Sequence, residues 1–275
     1  EFLEDWSKKD DRLKVFQVER DWTSPRHAVF DGLQKEESRS RCSGEYLWQM
    51  DSDEIVHEDD YEKIKLLCKN FPTEVDLICL PVIEYWGGPE KVRMDINPWK
   101  WRLSRNLPHI THGIPHSLRK EDENGDLYAS LGTDGCDYVH AETYELIPYA
   151  NFMTQNVEQA RVSALSGNEE AVSSYQNWFN SAIDQLPGVH HYSWFDMSRK
   201  IKTYKNYWQK HWESLYDIKQ EDTADNNMFF DKPWSEVSDE EIAVLAKDLA
   251  TKTGGHVFHS KIDWDKPTPS LRITK

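Results

Sequence analysis

Three carboxylates, Asp51, Asp53 and Glu54, directly follow the apolar run Tyr46-Leu47-Trp48-Gln49-Met50. A run so rich in aromatic and large apolar side chains predicts a buried strand. An uncompensated carboxylate cannot follow it into the core, so the acids belong where the strand leaves the sheet. In open α/β sheets that carboxyl edge is where ligands bind. Asp51 and Asp53 are two apart, so an extended backbone aims both to one side. Two hard oxygen ligands on one side suit Mg²⁺ or Mn²⁺ with a phosphate-bearing substrate. The competing reading is a solvated acidic turn, because D-x-D is short and common.

Other residues could serve the same chemistry. His112-Gly113 and His116 stand in a loop punctuated by Gly and Pro. Such a loop either offers backbone N–H groups and an imidazole to phosphate or sugar, or is structural with solvent-facing histidines. Arg102 and Arg105 match phosphate oxygens with a guanidinium fork, or form surface ion pairs. A general base should be a carboxylate facing the acceptor. The candidates are Asp134 and Asp137 in Gly132-Thr133-Asp134-Gly135-Cys136-Asp137, with Asp137 preferred, then Glu142 and Glu84. Asp134-Gly135 taken alone reads as a turn. Tyr85-Trp86, Trp99, Trp101 and Trp194 are candidate sugar platforms, although most tryptophans fill cores.

The elements that must position these residues follow from periodicity. Phe2 to Lys9 predicts a short amphipathic helix, Lys14 to Val18 a strand, and Trp22 to Gln34 a helical pattern. Glu36 to Arg41 reads as a charged linker. Asp59 to Lys69 predicts a helix with Tyr61, Ile64, Leu67 and Cys68 inward. Asp76 to Trp86 predicts a second buried strand, closed by Gly87-Gly88. This βαβαβ rhythm implies an α/β fold with a mostly parallel sheet flanked by helices. Residues 91–137 are aperiodic and dense in Trp, His, Pro and Gly, as functional loops are. From Glu145 onward the pattern turns helical, over 156–166, 169–185, 198–216 and 238–252. In the last of these Ser238 and Glu241 form a capping box and Gly254 closes the end. A short strand is expected around Val257-Phe258. The division is 1–150 as a core and 151–275 as a mainly helical part with an extension.

The chain has 275 residues and a net charge of −16, from 33 basic and 49 acidic residues. That argues against a nucleic-acid partner, which needs a basic face. No apolar run is long enough to span a membrane. Cys42, Cys68, Cys79 and Cys136 show no C-x-x-C spacing and read as reduced thiols, which leads to the expectation of a cytoplasmic protein.

At the acidic cluster the chain resembles a family. Gly44-Glu45-Tyr46-Leu47-Trp48-Gln49-Met50-Asp51-Ser52-Asp53-Glu54 resembles the Gly-Asp-Tyr…Asp-x-Asp-Glu segment of family 2 glycosyltransferases of the GT-A fold. Upstream, Arg26-His27-Ala28…Gly32 is similar to that family's Arg-containing helix start beside the donor. Downstream, Trp101-Arg102-Leu103-Ser104-Arg105 resembles its Arg-Leu-Phe-Arg stretch. His190-His191-Tyr192-Ser193-Trp194, followed by Lys200, resembles its His-Tyr…Lys segment. The family's usual first strand has no counterpart here. The resemblance implies a GT-A-like, inverting glycosyltransferase dependent on Mn²⁺ or Mg²⁺, with a nucleotide-sugar donor and a glycan or other hydroxyl acceptor, as in polysaccharide synthesis. It implies Asp53 as a metal ligand, and His191 as one that completes the metal shell or touches the diphosphate, with His190 the competitor; a lone His in an aromatic setting otherwise reads as core or a surface hydrogen bond. Asp51 would reach the ribose or the metal, Arg26 would lie beside the donor, and Glu54 would orient the loop or join the acceptor site. A non-catalytic carbohydrate-binding or scaffold protein and a metal-dependent phosphohydrolase are the alternatives.

Overall fold

A strand enclosed on both faces must be largely apolar, and residues 75–86 are so apart from Asp76 and Glu84. The computed structural model describes residues 2–20, 27–71, 73, 75–93, 99–111, 114–116, 119–121, 123–125, 127–130, 138–140, 146–147, 168–208, 221–251 and 261–263. In chain order the elements begin with α1 (Phe2–Ser7), α2 (His27–Ser40), β1 (Tyr46–Trp48), β2 (Glu54–Val56) and α3 (Tyr61–Lys69). The long strand β3 (Val75–Trp86) follows, then β4 (Lys91–Arg93) and β5 (Trp99–Arg105). Two hairpins, β6 (Ile110–Thr111) with β7 (Ile114–Pro115) and β8 (Arg119–Glu121) with β9 (Leu127–Ser130), lead to β10 (Tyr138–His140) and β11 (Leu146–Ile147). Then come α4 (Glu169–Gln185), β12 (Val189–Trp194), α5 (Met197–Thr203), α6 (Asp239–Thr251) and β13 (Lys261–Asp263).

Strand β3 is the axis of the sheet. Its first half pairs antiparallel with β5, from Leu77↔Ser104 to Pro81↔Trp99, and with β10 at Tyr138↔Ile78. From Val82 onward it pairs parallel with β12, and at Tyr85↔Val92 antiparallel with β4. Pro81 has no N–H to give to a ladder, and it stands where β3 exchanges one partner for the other. β1 pairs antiparallel with β5, and β2 with β12. Among the described residues β3–β12 is the one parallel pairing. The fold is therefore mixed α/β, but the expectation of a mostly parallel sheet is corrected. A local apolar run is the same in either strand direction; connections and distant pairing set the direction.

The helices cover β3 on both faces. On one, Tyr175, Phe179 and Ile183 of α4 pack against Ile83, Tyr85 and Val92. On the other, Ile78, Leu80 and Val82 meet Leu103, Val189 and Phe71, with Leu67 and Cys68 of α3 at the margin. Beyond the end of β3, Trp86 and Trp194 join Met197 and Ile201 of α5 with Ile242, Ala246 and Leu249 of α6. Each such side chain contributes roughly 1.5–3 kcal/mol on full burial. Gly87 closes the strand at φ +67°, donating its N–H to Trp194 O at 2.9 Å. A Cβ there would lie 2.7 Å from Ala250 Cβ.

Several expected elements are shifted. α2 runs on through the expected linker to Ser40, helped by an Arg41–Glu37 pair one turn apart. Lys14 to Val18 forms no strand. Tyr61 of α3 is exposed rather than inward. α4 covers Glu169–Gln185 as predicted. α6 carries the expected box, with Ser238 N donating to Glu241 Oε2 at 2.9 Å and Glu241 N to Ser238 Oγ at 3.2 Å. The expected helix over 156–166, the strand around Val257-Phe258 and Gly254 lie outside the described residues. No described helix is long and apolar enough to cross a membrane.

Candidate functional site

Two carboxylates and one imidazole come together where β2, β12 and β3 lie side by side. In register, His191 faces Glu54 of β2 on one side and Glu84 of β3 on the other. Partners across a ladder project to the same face. The turn before β12 is fixed by buried Asp60, whose Oδ2 accepts from Gly188 N at 2.8 Å and whose Oδ1 pairs with Lys63 Nζ at 2.7 Å. Lys63 also donates to Ile183 O at 2.9 Å, tying the end of α4 to the same point. From this anchor β12 delivers His191 beside the acidic turn, and Tyr192 N donates to Asp53 O at 2.8 Å.

The imidazole is held from both ends. Glu84 Oε2 lies 2.6 Å from His191 Nδ1, and Asp53 Oδ1 lies 3.4 Å from Nε2. Burial disfavours charge on His191, but the hydrogen bonds with Asp53 and Glu84 prevail and raise its pKa to about 10. The same contact with His191 holds the Asp53 carboxyl below its usual range. Glu84 is 5 % exposed, and its other oxygen, Oε1, has no hydrogen-bond partner among the described residues. Two cations stand close. Arg199 Nη2 is 4.0 Å from Asp53 Oδ2, and Lys200 donates to Ser193 Oγ beneath the Trp194 ring. Burial lowers the Lys200 pKa, against the pull of Glu84 and Asp53. An open cleft of about 640 Å³ runs from Arg199 along α5, past Lys202 and Thr203 to Tyr207.

The remaining acids do different work. The backbone turns at Ser52-Asp53 instead of staying extended, so Asp51 and Asp53 diverge rather than share one side. Asp51 Oδ1 lies 3.4 Å from Lys35 Nζ, and its Oδ2 lies 3.4 Å from Arg102 Nη2. Glu54 is a clamp. Its side chain has no exposed surface, both oxygens receive Arg102, with Nε at 2.9 Å from Oε2, and Oε2 also accepts from Asp51 N at 3.0 Å. A carboxylate so enclosed reaches no acceptor, which corrects its assignment to the acceptor site and to catalysis; the loop-orienting role is the one its bond from Asp51 N fits. Arg102 is consumed by the same pair and is 8 % exposed, which corrects its assignment to donor phosphate. Arg105 is structural too, donating Nε to Val75 O at 2.9 Å under the Phe71 ring.

The competitor, His190, faces the other side of β12. Its Nδ1 lies 2.7 Å from Tyr85 Oη and its ring lies against His57. Burial, with His57 nearby, lowers its pKa to about 4. Burial likewise raises the Tyr85 pKa. Of the candidate platforms, Tyr85, Trp86 and Trp194 are core. Arg26, His112, Gly113, Asp134, Asp137 and Glu142 lie outside the described residues. Sequence reasoning missed the Glu84–His191 contact and Lys35; the sole signal for the first is an acid set among the apolar residues that end the strand.

Does the pair fit a divalent cation? Two ligands each about 2.1 Å from one ion stand at most about 4.2 Å apart, and Asp53 Oδ1 and His191 Nε2 are 3.4 Å apart. Metal-bound imidazoles usually give their other N–H to a carboxylate, which fixes the tautomer; Glu84 is placed to receive it. Among the described residues no group of three or more His, Cys, Asp or Glu side chains forms a metal-holding cluster. The protein would thus supply two ligands and leave the remaining positions to substrate and water, as Mg²⁺ sites commonly do. No family model, curated protein or solved structure matches the chain.

Proposed function

We propose that the chain is a metal-dependent, inverting glycosyltransferase that moves a sugar from a nucleotide-sugar donor to a hydroxyl of a glycan or other acceptor. One observation carries this reading: the second acid of the Asp51-Ser52-Asp53 motif meets His191, which Glu84 holds from behind. The order of motifs that resembles family 2 glycosyltransferases adds to it; a GT-A architecture remains part of the proposal. Asp53 and His191 would hold Mn²⁺ or Mg²⁺, which supplies Lewis-acid stabilisation to a departing diphosphate.

The chain's own residues then have distinct tasks. Without a metal His191 is an imidazolium between Asp53 and Glu84; its Nε2 would give up that proton on metal binding, while Glu84 would keep accepting from Nδ1. Arg199, more than half exposed, offers a guanidinium to phosphate oxygens from the lip of the cleft. Lys200 adds positive charge without leaving Ser193. Asp51, kept in place by Lys35 and Arg102, is partly exposed and free to accept a hydrogen bond from a ribose hydroxyl. The proton acceptor for the incoming hydroxyl is assigned to Asp137, with Asp134 second.

The test is thermal shift with a panel of nucleoside diphosphates, with and without Mn²⁺. Stabilisation that needs both Mn²⁺ and the nucleotide, and that vanishes in Asp53→Ala and His191→Ala, is expected. Glycan binding indifferent to chelator would favour a carbohydrate-binding protein instead. Phosphate release in the absence of any acceptor would favour a phosphohydrolase.

A further inference from the structure

Away from the acidic turn, strand β1 has one edge that no described strand covers. The hydrogen bonds to β5 show which groups point there. Gln49 N donates to Arg102 O at 2.8 Å, and Glu45 O accepts from Asn106 N at 2.9 Å. In an antiparallel ladder alternate residues face the partner with both main-chain groups, and those between face away. The N–H and C=O of Tyr46 and Trp48 therefore face the open edge.

That edge borders a groove of about 880 Å³. One wall is β1 with its flanks, residues 44–50, about 20 Å long at the rise of an extended chain. Most of the rest of the lining comes from residues 12–16 and Val18, which join no sheet, and from residues within 34–42 at the end of α2. Arg41 holds its guanidinium 4.1 Å above the Phe16 ring. The lining carries five basic side chains, Arg12, Lys14, Lys35, Arg39 and Arg41, against Glu37 alone. On a chain of net charge −16 this is a local reversal of sign. Asp10, Glu37 and Asp51 offset three of the five.

We propose that this groove receives an extended acidic peptide, which joins the β1 edge as an added strand through the main chain of Tyr46 and Trp48. Strand addition to an exposed edge takes its affinity from main-chain hydrogen bonds and its selectivity from alternate side chains. Here the apolar positions would meet Val15, Phe16 and Trp48, and the acidic ones Lys14 and its basic neighbours. This proposal uses neither Asp53 nor His191, so it stands or falls apart from the glycosyltransferase reading.

The test uses the whole chain and a fluorescein-labelled peptide, Val-Glu-Val-Asp-Val-Glu-Val, followed by anisotropy and amide hydrogen exchange. Saturable binding is expected, with slowed exchange at Tyr46 and Trp48. N-methylation of alternate peptide amides should weaken binding about tenfold or more, since two main-chain bonds are lost. Lys14→Glu, an exposed change confirmed as folded by circular dichroism, should weaken it several-fold, to the order a surface ion pair allows. No saturable binding, equal binding of the N-methylated peptide or of its lysine counterpart, or binding that leaves those two amides unprotected would each overturn the proposal.

Discussion

The buried pair of Glu54 and Arg102 decides whether the third acid of the motif is machinery or scaffold. Replacing one partner of a buried, hydrogen-bonded ion pair costs about 3–5 kcal/mol, because the other charge is left uncompensated. Glu54→Leu leaves the Arg102 guanidinium with Trp101 O at 3.2 Å and Asp51 Oδ2 at 3.4 Å, so the lower end, about 3 kcal/mol, is expected. Arg102→Met strands a carboxylate with no exposed surface, still receiving Asp51 N at 3.0 Å, and should cost about 4 kcal/mol. The double variant removes both charges. It should lie within about 2 kcal/mol of the parent, since apolar replacement of a whole buried pair is often neutral. Urea unfolding followed by far-ultraviolet circular dichroism gives all four corners of the cycle. The reasoning fails if either single change costs under about 1 kcal/mol, or if the double variant is less stable than both. Glu54→Gln adds a further check: a stable protein with turnover abolished would restore Glu54 as a proton carrier.

Other perturbations test the frame around the site. His190 has a folded pKa of about 4 against about 6.5 when unfolded. As pH falls from 6.5 to about 4 the unfolded chain takes up a proton that the folded one refuses. Stability should drop by about 3 kcal/mol across that window, and urea titrations of His190→Gln should show a flatter profile. Asp60→Ala removes the acceptor for Gly188 N and the partner of Lys63. It should cost about 2–4 kcal/mol in the same assay and loosen amide exchange along β12. Gly87→Ala places a Cβ at positive φ and 2.7 Å from Ala250 Cβ. A loss above about 2 kcal/mol is expected, of which Ala250→Gly should return only a part, since Ala250 Cα would also lie 2.9 Å from the new Cβ.

How much of this was readable beforehand differs by element. β3, α4 and the cap of α6 are written locally, in a nearly continuous apolar run, a helical period and a Ser-x-x-Glu box. Direction and register are not. Glu84 and His191 are 107 residues apart in the chain, and no short window reports that β12 lies parallel to β3. The Asp51-Ser52-Asp53 motif was visible, but its extended geometry was assumed. A turn at Ser52 sends one acid to Arg102 and Lys35 and the other to His191. Arg102 illustrates the limit best. A guanidinium suited to phosphate is equally suited to a carboxylate, and only burial beside Glu54 tells which it holds.

The stacked indoles of Trp86 and Trp194, 5.1 Å apart at 27°, give the molecule a built-in optical gauge. Two chromophores this close share their excitation and produce a split circular-dichroism signal that widely separated rings do not. One ring ends the axial strand and the other lies three residues past His191, with Lys200 5.5 Å from its centroid. Any event that shifts β12 by a fraction of its spacing from β3 would alter that couplet, so the seam between the two strands can be watched without a label.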